Sequence, residues 1–144
     1  MVKRIGGWAA AGLVIAAASV AALAADTTTA RFDNLKALAG EWTMSGGDGS
    51  VAVTYRVTAG GSAVVETLFP GAPHEMVTVY TVDKGDLVLT HYCAEGNQPH
   101  MKAVRGGGAN AIEFKFDGGG NIKSSKDGHM HEATFSFKDT DHVT

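Results

Sequence analysis

The sequence predicts an all-β protein, in which a single antiparallel meander closes into a β-barrel after one short N-terminal helix. Apolar and polar residues alternate over runs of strand length, as they do from Val51 to Val57. Turns rich in glycine, at residues 59–61 and 84–85, separate these runs at hairpin length. Consecutive hairpins produce a meander, and closing the meander into a barrel removes its exposed strand edges.

The first 24 residues are predicted to be a signal peptide, which leaves residues 25–144 as one domain. Lys3 and Arg4 form a basic start, an apolar stretch follows, and Ala22-Leu23-Ala24 is a small-x-small cleavage signal. The apolar stretch is too short for a membrane span. About 120 residues would remain, enough for one modest core. The expected location is the periplasm or the outside of the cell.

Charge and cysteine content argue against nucleic-acid binding and exclude an internal disulfide. Removal of Lys3 and Arg4 would lower the basic count from 12 to 10, which against 15 acidic residues gives a net charge of −5. The basic residues are scattered, so the positive stripe that nucleic-acid binding requires is missing. The protein is not expected to bind nucleic acid, and it is not expected to span a membrane after the signal peptide is removed. Cys93 is the only cysteine, which excludes an internal disulfide.

The predicted elements follow from periodicity and turn residues. A helix is expected over Ala30–Ala39, because Phe32, Leu35 and Leu38 have helical spacing, and Gly40 ends it. Eight strands are expected after it. Their predicted ranges are Glu41–Ser45, Ser50–Thr58, Ser62–Phe69, Glu75–Asp83, Asp86–Ala94, His100–Arg105, Ala111–Asp117 and His129–Lys138.

The C-terminal residues suggest an incomplete ninth strand. Asp139-Thr140-Asp141 is expected to form a turn, and His142-Val143-Thr144 resembles the start of another strand. The barrel is therefore predicted to lack a C-terminal hairpin, which would leave a gap between its first and last strands. The alternative is a barrel that closes with eight strands and a frayed tail.

Several motifs resemble known families. Leu38-Ala39-Gly40-Glu41-Trp42 places a Gly-x-Trp motif after a short helix, which resembles the opening of the lipocalin and calycin superfamily. That resemblance implies a calycin-type barrel in which Trp42 plugs one end and packs against Leu35 and Leu38. Other stretches are similar to exported bacterial lipocalin-like proteins of unassigned function. These stretches are Val53–Thr58, Gly61–Phe69, Pro73–Met76, Thr90–Ala94 and Asn97–Pro99.

The Gly-x-Trp motif also gives a remoter similarity to nitrobindin-like haem barrels. The haem ligand of those proteins is a histidine close to the C-terminus, in the region that this sequence is expected to lack. No residue of this chain matches that ligand, so the resemblance assigns no haem-binding residue.

Two pairs of metal-type ligands occupy alternate positions on predicted strands. Each of His91-x-Cys93 and His129-x-His131 continues an apolar strand face, so all four side chains are predicted to point into the barrel. Imidazole and thiolate suit zinc or copper, and four such ligands complete a tetrahedron. The alternatives are a polar lining of a ligand cavity, a buried apolar role for Cys93, or a reversed facing, because a one-residue slip turns every side chain over.

The leading functional prediction is non-catalytic binding of a small, mostly apolar molecule inside the barrel. The alternative is a zinc- or copper-binding protein, or a metal-dependent enzyme. No serine lies in the strand-turn-helix context of an activated nucleophile, so no catalytic residue is assigned. The predicted ligand-contacting residues are Tyr55, Glu66, Leu89, His91, Cys93, Phe114, Phe116, His131 and Phe135. The residues predicted to point outward beside the two ligand pairs are Tyr92, Met130 and Glu132.

Glu66 interrupts an apolar run and has two interpretations. It either faces inward, where a buried carboxylate needs a partner, or it faces outward and pairs with Arg56 on the adjacent strand. His74 and Glu75 border a loop, where they are expected to be solvated or to gate a pocket mouth.

Overall fold

The structure is a computed structural model that describes residues 27–144 except 107 and 125. The predicted signal peptide, residues 1–24, lies outside the described residues. Helix α1 spans residues 27–37, and one antiparallel sheet follows with its eight strands in chain order. The strands are β1 (Gly40–Thr43), β2 (Val51–Thr58), β3 (Ala63–Leu68), β4 (Met76–Asp83), β5 (Asp86–Tyr92), β6 (Gln98–Ala103), β7 (Ala111–Gly120) and β8 (Glu132–Ser136).

The core lies on the concave face of this sheet. On β5, Leu87, Leu89 and His91 are buried, whereas Tyr92 is 50% exposed on the opposite face, as predicted. This alternation follows from the period of two in a strand. The rings of Tyr80, Phe114 and Phe135 pack together, with centroids 5.8 to 6.3 Å apart. Since these rings belong to β4, β7 and β8, their contacts show how strongly the sheet curls.

The curled sheet is a half-barrel whose first and last strands do not pair. Among the described strands, β1 pairs with β2, and β8 pairs with β7. The all-β meander with one short helix is confirmed, and the predicted gap between its end strands is present. The segment 142–144 runs antiparallel to the end of β8, with Ser136 N donating to Thr144 O at 2.7 Å. Phe137 and Val143 form a bridge there, as predicted for the start of a ninth strand.

Helix α1 covers one end of the half-barrel. It buries Phe32 and Leu35, and Leu38 just beyond it is also buried. The Arg31 guanidinium donates to the carbonyl groups of Val104, Gly106 and Gly108 in the β6–β7 loop. Within residues 27–144, apart from 107 and 125, no helix is long and apolar enough to cross a bilayer.

Trp42 on β1 packs against the core from a half-buried position. Its indole Nε1 donates to the Leu38 carbonyl at 2.7 Å, which fixes the ring beside the end of the helical segment. The predicted contact with this region is therefore present, although the indole is less buried than predicted.

The largest differences from the predicted strand boundaries are in β7 and β8. Strand β7 continues to Gly120 instead of ending at Asp117, because it pairs with β6 through Gly119 and Pro99. A Cβ atom at Gly119 would lie 2.7 Å from the Gln98 carbonyl oxygen, so only glycine permits this close approach. Strand β8 begins at Glu132 rather than at His129, so residues 129–131 precede it.

Candidate functional site

A row of polar side chains crosses four neighbouring strands on the concave face. Tyr55 on β2 lies opposite Glu66 on β3. Glu66 lies opposite Thr78 on β4, and Thr78 lies opposite His91 on β5. Residues directly opposite each other share a face of the sheet, so the four side chains meet as neighbours. All four are buried.

The Glu66 carboxylate accepts two phenol hydrogen bonds. Tyr55 Oη donates to Oε1 at 2.6 Å, and Tyr80 Oη donates to Oε2 at 2.8 Å. Among the described residues, no Lys or Arg forms an ion pair with this carboxylate. The inward interpretation of Glu66 is therefore confirmed, and the pairing with Arg56 is wrong, because Arg56 is exposed and lies opposite Val65.

Burial controls the protonation of the groups around Glu66. Burial, and then the negative charge of Glu66, raises the pKa of Tyr55 and of Tyr80 far above the ordinary phenol value. Both phenols are thus protonated donors at neutral pH.

His91 is the other titratable side chain of the row. Burial lowers the pKa of His91, an effect that the charge of Glu66 only partly opposes, so the imidazole is neutral at pH 7. Its Nδ1 lies 2.9 Å from Thr78 Oγ1.

The two buried phenols make stability fall with rising alkalinity. A tyrosine in the unfolded chain ionises near its ordinary pKa of about 10. Because the folded-state pKa values of Tyr55 and Tyr80 are raised, their contribution is fully present below pH 10 and is lost above it. We expect the free energy of unfolding to fall by about 1.4 kcal/mol per pH unit for each of them. Urea titrations between about pH 9 and about pH 11, on either side of the unfolded-chain pKa of about 10, measure this slope.

The matched variant is Tyr80→Phe, which keeps the ring and removes one ionisable group. Above the ordinary phenol pKa, the free energy of unfolding of this variant should fall with pH about half as steeply as the two tyrosines make it fall in the wild type. Identical slopes for the two proteins would contradict the assignment of the alkaline loss to these phenols.

The other predicted ligand-contacting residues lie in different surroundings. Leu89, Phe114 and Phe135 are packed into the core and contact other side chains of the chain itself. Cys93 is half-buried immediately after β5, where its backbone N–H donates to the Asn97 carbonyl. Phe116 is half-buried on β7, stacks on His131 and packs at a tilt against His129, both of which precede β8.

The four predicted metal ligands are not brought together. His129 and His131 are neighbours, whereas His91 lies beside Thr78 in the core. In the part of the chain that the structure describes, no group of three or more His, Cys, Asp or Glu side chains is placed to hold a metal ion. The prediction that the side chain points into the barrel is correct for His91, which is buried. It is wrong for His131, which is exposed.

The start of β8 at Glu132 explains why the predicted orientations of residues 129–131 are unreliable. Met130, predicted to point outward, packs against the core, whereas Glu132 is exposed as predicted. Residues 129–131 precede the strand, so the alternation of the sheet does not determine their orientation.

An apolar groove lies at the end of the half-barrel that is opposite helix α1. We call it the loop-end groove. Its volume is about 430 Å³, and it lies between the β1–β2 and β3–β4 loops. Met44 is 68% exposed and Phe69 is 37% exposed. Phe69 has a φ of 53°, which is unusual for a residue with a large side chain, and its ring lies 4.8 Å from that of His74. The residues that line the groove are Met44, Gly47, Asp48, Ser50, Val51, Ala52, Phe69, Pro70, Ala72 and His74.

Of these lining residues, the sequence predicts a position at a pocket mouth only for His74. The remaining signal was indirect. Met44 and Phe69 are large apolar residues beside glycine- and proline-containing loops, where exposure is expected.

The fold and the site define the protein as an all-β half-barrel with a buried carboxylate on its concave face and an apolar groove at one end. No protein-family model matches the chain, and no curated protein or solved structure is significantly similar to it. The resemblance to exported lipocalin-like proteins therefore stays a prediction.

Proposed function

We propose that the protein is exported and binds one small, mostly apolar molecule in the loop-end groove. The observation that carries this proposal is the groove itself, which has a volume of about 430 Å³ and mostly apolar lining residues. Binding sites for small molecules are typically concave, apolar and about 300–1,000 Å³ in volume.

The exposed apolar side chains of the groove are evidence that it binds a molecule. Met44 and Phe69 both leave large apolar surfaces in water, although each belongs to a concave wall. Covering such surfaces with an apolar ligand is favourable by about 25 cal/mol per Å². The unbranched Met44 side chain can adapt to ligands of different shape.

The polar row lies deeper along strand β2. Val51 on β2 lines the groove and lies four residues before Tyr55, so the two side chains are on the same face of the strand. The strand between them covers about 13 Å. A ligand with an apolar body and a polar end therefore has the length to reach from the groove towards the row. The Glu66 charge favours a neutral or cationic polar end over an anionic one.

A calycin-type identity of the half-barrel is part of the same proposal. The support is the short helix at one end, the Gly40-Glu41-Trp42 motif on β1 and the hydrogen bond from Trp42 to Leu38. Calycin barrels of this size hold one small ligand, which agrees with the proposed binding.

Titration with the neutral fluorescent probe N-phenyl-1-naphthylamine tests the groove. We expect saturable binding, and we expect Phe69→Asn to weaken it by about tenfold or more, which corresponds to about 1.4 kcal/mol. Asparagine tolerates positive φ, so this substitution removes the ring without imposing new backbone strain. Tyr92→Asn is the matched control, because Tyr92 is 50% exposed on the convex face and lies outside the groove.

Competition then tests the charge preference. 1-Decanol should displace the probe at a lower concentration than decanoate, and Glu66→Gln should reduce the difference. Equal loss of probe binding in Phe69→Asn and Tyr92→Asn, or no saturable binding by the wild type, would refute the groove as the site.

A further inference from the structure

We propose that His129 and His131 form a two-histidine chelate for a divalent transition-metal ion, separate from the loop-end groove. The two rings face each other just before β8, with His131 Nδ1 3.2 Å from His129 Nε2. Neither histidine lines the groove or belongs to the polar row.

The distance between the two nitrogen atoms suits a shared metal ion. Zinc–imidazole bonds are about 2.0–2.1 Å long, so two nitrogens 3.2 Å apart subtend an angle of about 100° at the ion. That angle is close to the tetrahedral one. A small movement of the exposed His131 would also give the near-right angle that Cu²⁺ prefers.

The surroundings of His129 orient its ring as a ligand. Its Nδ1 lies 2.6 Å from the Asp127 carbonyl oxygen, which can only accept a hydrogen bond. Nδ1 therefore carries a proton, and Nε2 is the ring nitrogen that lies beside His131. Metal-binding histidines commonly donate their other ring N–H to a carbonyl group in this way.

The ring of Phe116 holds both histidines in place. It stacks on His131 with an interplanar angle of 16° and a centroid distance of 5.4 Å, and its centroid lies 4.6 Å from that of His129. Both imidazoles are thus restrained before a metal ion arrives, which lowers the entropic cost of chelation.

Metal binding requires only a local proton shift. In the metal-free neutral pair, His131 Nδ1–H donates to His129 Nε2. A metal ion replaces this shared proton, and His131 keeps one proton by carrying it on Nε2 instead. The chain supplies two ligands, so water completes the coordination, and the site stays open on its solvent side.

Titration of tag-free protein with CuCl₂ and with ZnCl₂ tests the chelate. We expect one ion per chain, with Cu²⁺ bound more tightly than Zn²⁺. His129→Ala and His131→Ala should each weaken binding by at least about 10-fold, since even groups that only support a ligand contribute that much. The nitrogen hyperfine pattern in electron paramagnetic resonance of the Cu²⁺ form should report two imidazoles in the wild type and one in each variant.

His100→Ala is the matched control, because His100 is an exposed histidine on β6 that pairs with no other histidine among the described residues. It should bind both ions within a factor of about two of the wild type, well below the tenfold effect of losing a ligand. The exposure of His131 makes its variant safe for folding, which far-ultraviolet circular dichroism checks. Binding that is equally affected in all three variants, or a nitrogen pattern that none of them changes, would overturn the proposal.

Discussion

Replacing Phe114 with alanine is expected to lower the free energy of unfolding by about 3–5 kcal/mol. The side chain is fully buried, and its ring contacts those of Tyr80 and Phe135 across the concave face. Removing the ring leaves a cavity where strands from both halves of the sheet meet. Because the neighbouring rings are held by their own strands, they can fill that cavity only in part.

Guanidinium titration measures this loss, and Tyr92→Ala provides the comparison. Tyr92 is an aromatic residue of similar size that is 50% exposed on the convex face. Its substitution should cost about 1 kcal/mol or less. Similar losses for Phe114→Ala and Tyr92→Ala would show that the ring cluster is not the centre of the core.

Replacing Arg31 with methionine is expected to cost about 2–4 kcal/mol. Arg31 is 94% buried, since 6% of it is exposed, and its guanidinium donates to three loop carbonyl groups, those of Val104, Gly106 and Gly108. Methionine retains most of the apolar length of the side chain and removes every donor. The variant therefore loses the hydrogen bonds that join helix α1 to the β6–β7 loop.

Two further variants separate this effect from general loss of charge. Arg31→Lys should recover only part of the stability, because an ammonium group lacks the planar fork that reaches several carbonyls at once. Lys36→Met removes a cation on the same helix whose partner, Asp33, is exposed, and should change stability by less than about 1 kcal/mol. Hydrogen exchange in the β6–β7 loop should accelerate in Arg31→Met alone. Unchanged exchange there would refute the proposed link between helix and loop.

Much of the fold could be predicted because local patterns determine it. The alternation along β2, β5 and β7 specifies which face is buried, and the glycine turns specify hairpin connections. The extension of β7 through Gly118-Gly119-Gly120 could not be predicted, because a glycine run resembles a loop until a paired strand requires close approach. The absence of pairing between β1 and β8 was predicted from the strand-like pattern of residues 142–144, which do pair with the end of β8.

The site was less predictable because it depends on register between strands. Glu66 lies between Val65 and Thr67, and only the pairing of β3 with β2 and β4 shows that two tyrosines reach its carboxylate. His91 was predicted correctly, since it continues the regular alternation of β5. His129 and His131 lie outside a strand, where no periodicity determines facing.

The open seam between β1 and β8 has a consequence for how the chain folds. Every pairing among the eight described strands joins neighbours along the chain, so the sheet can grow hairpin by hairpin without any step that brings its two ends together. Such local contacts lower the mean sequence separation that slows the folding of closed β-barrels. The principal exception is helix α1, whose Arg31 reaches residues 73 to 77 positions later. Helix docking is therefore the step with the largest loop-closure entropy, and the sheet can form before the helix seals it.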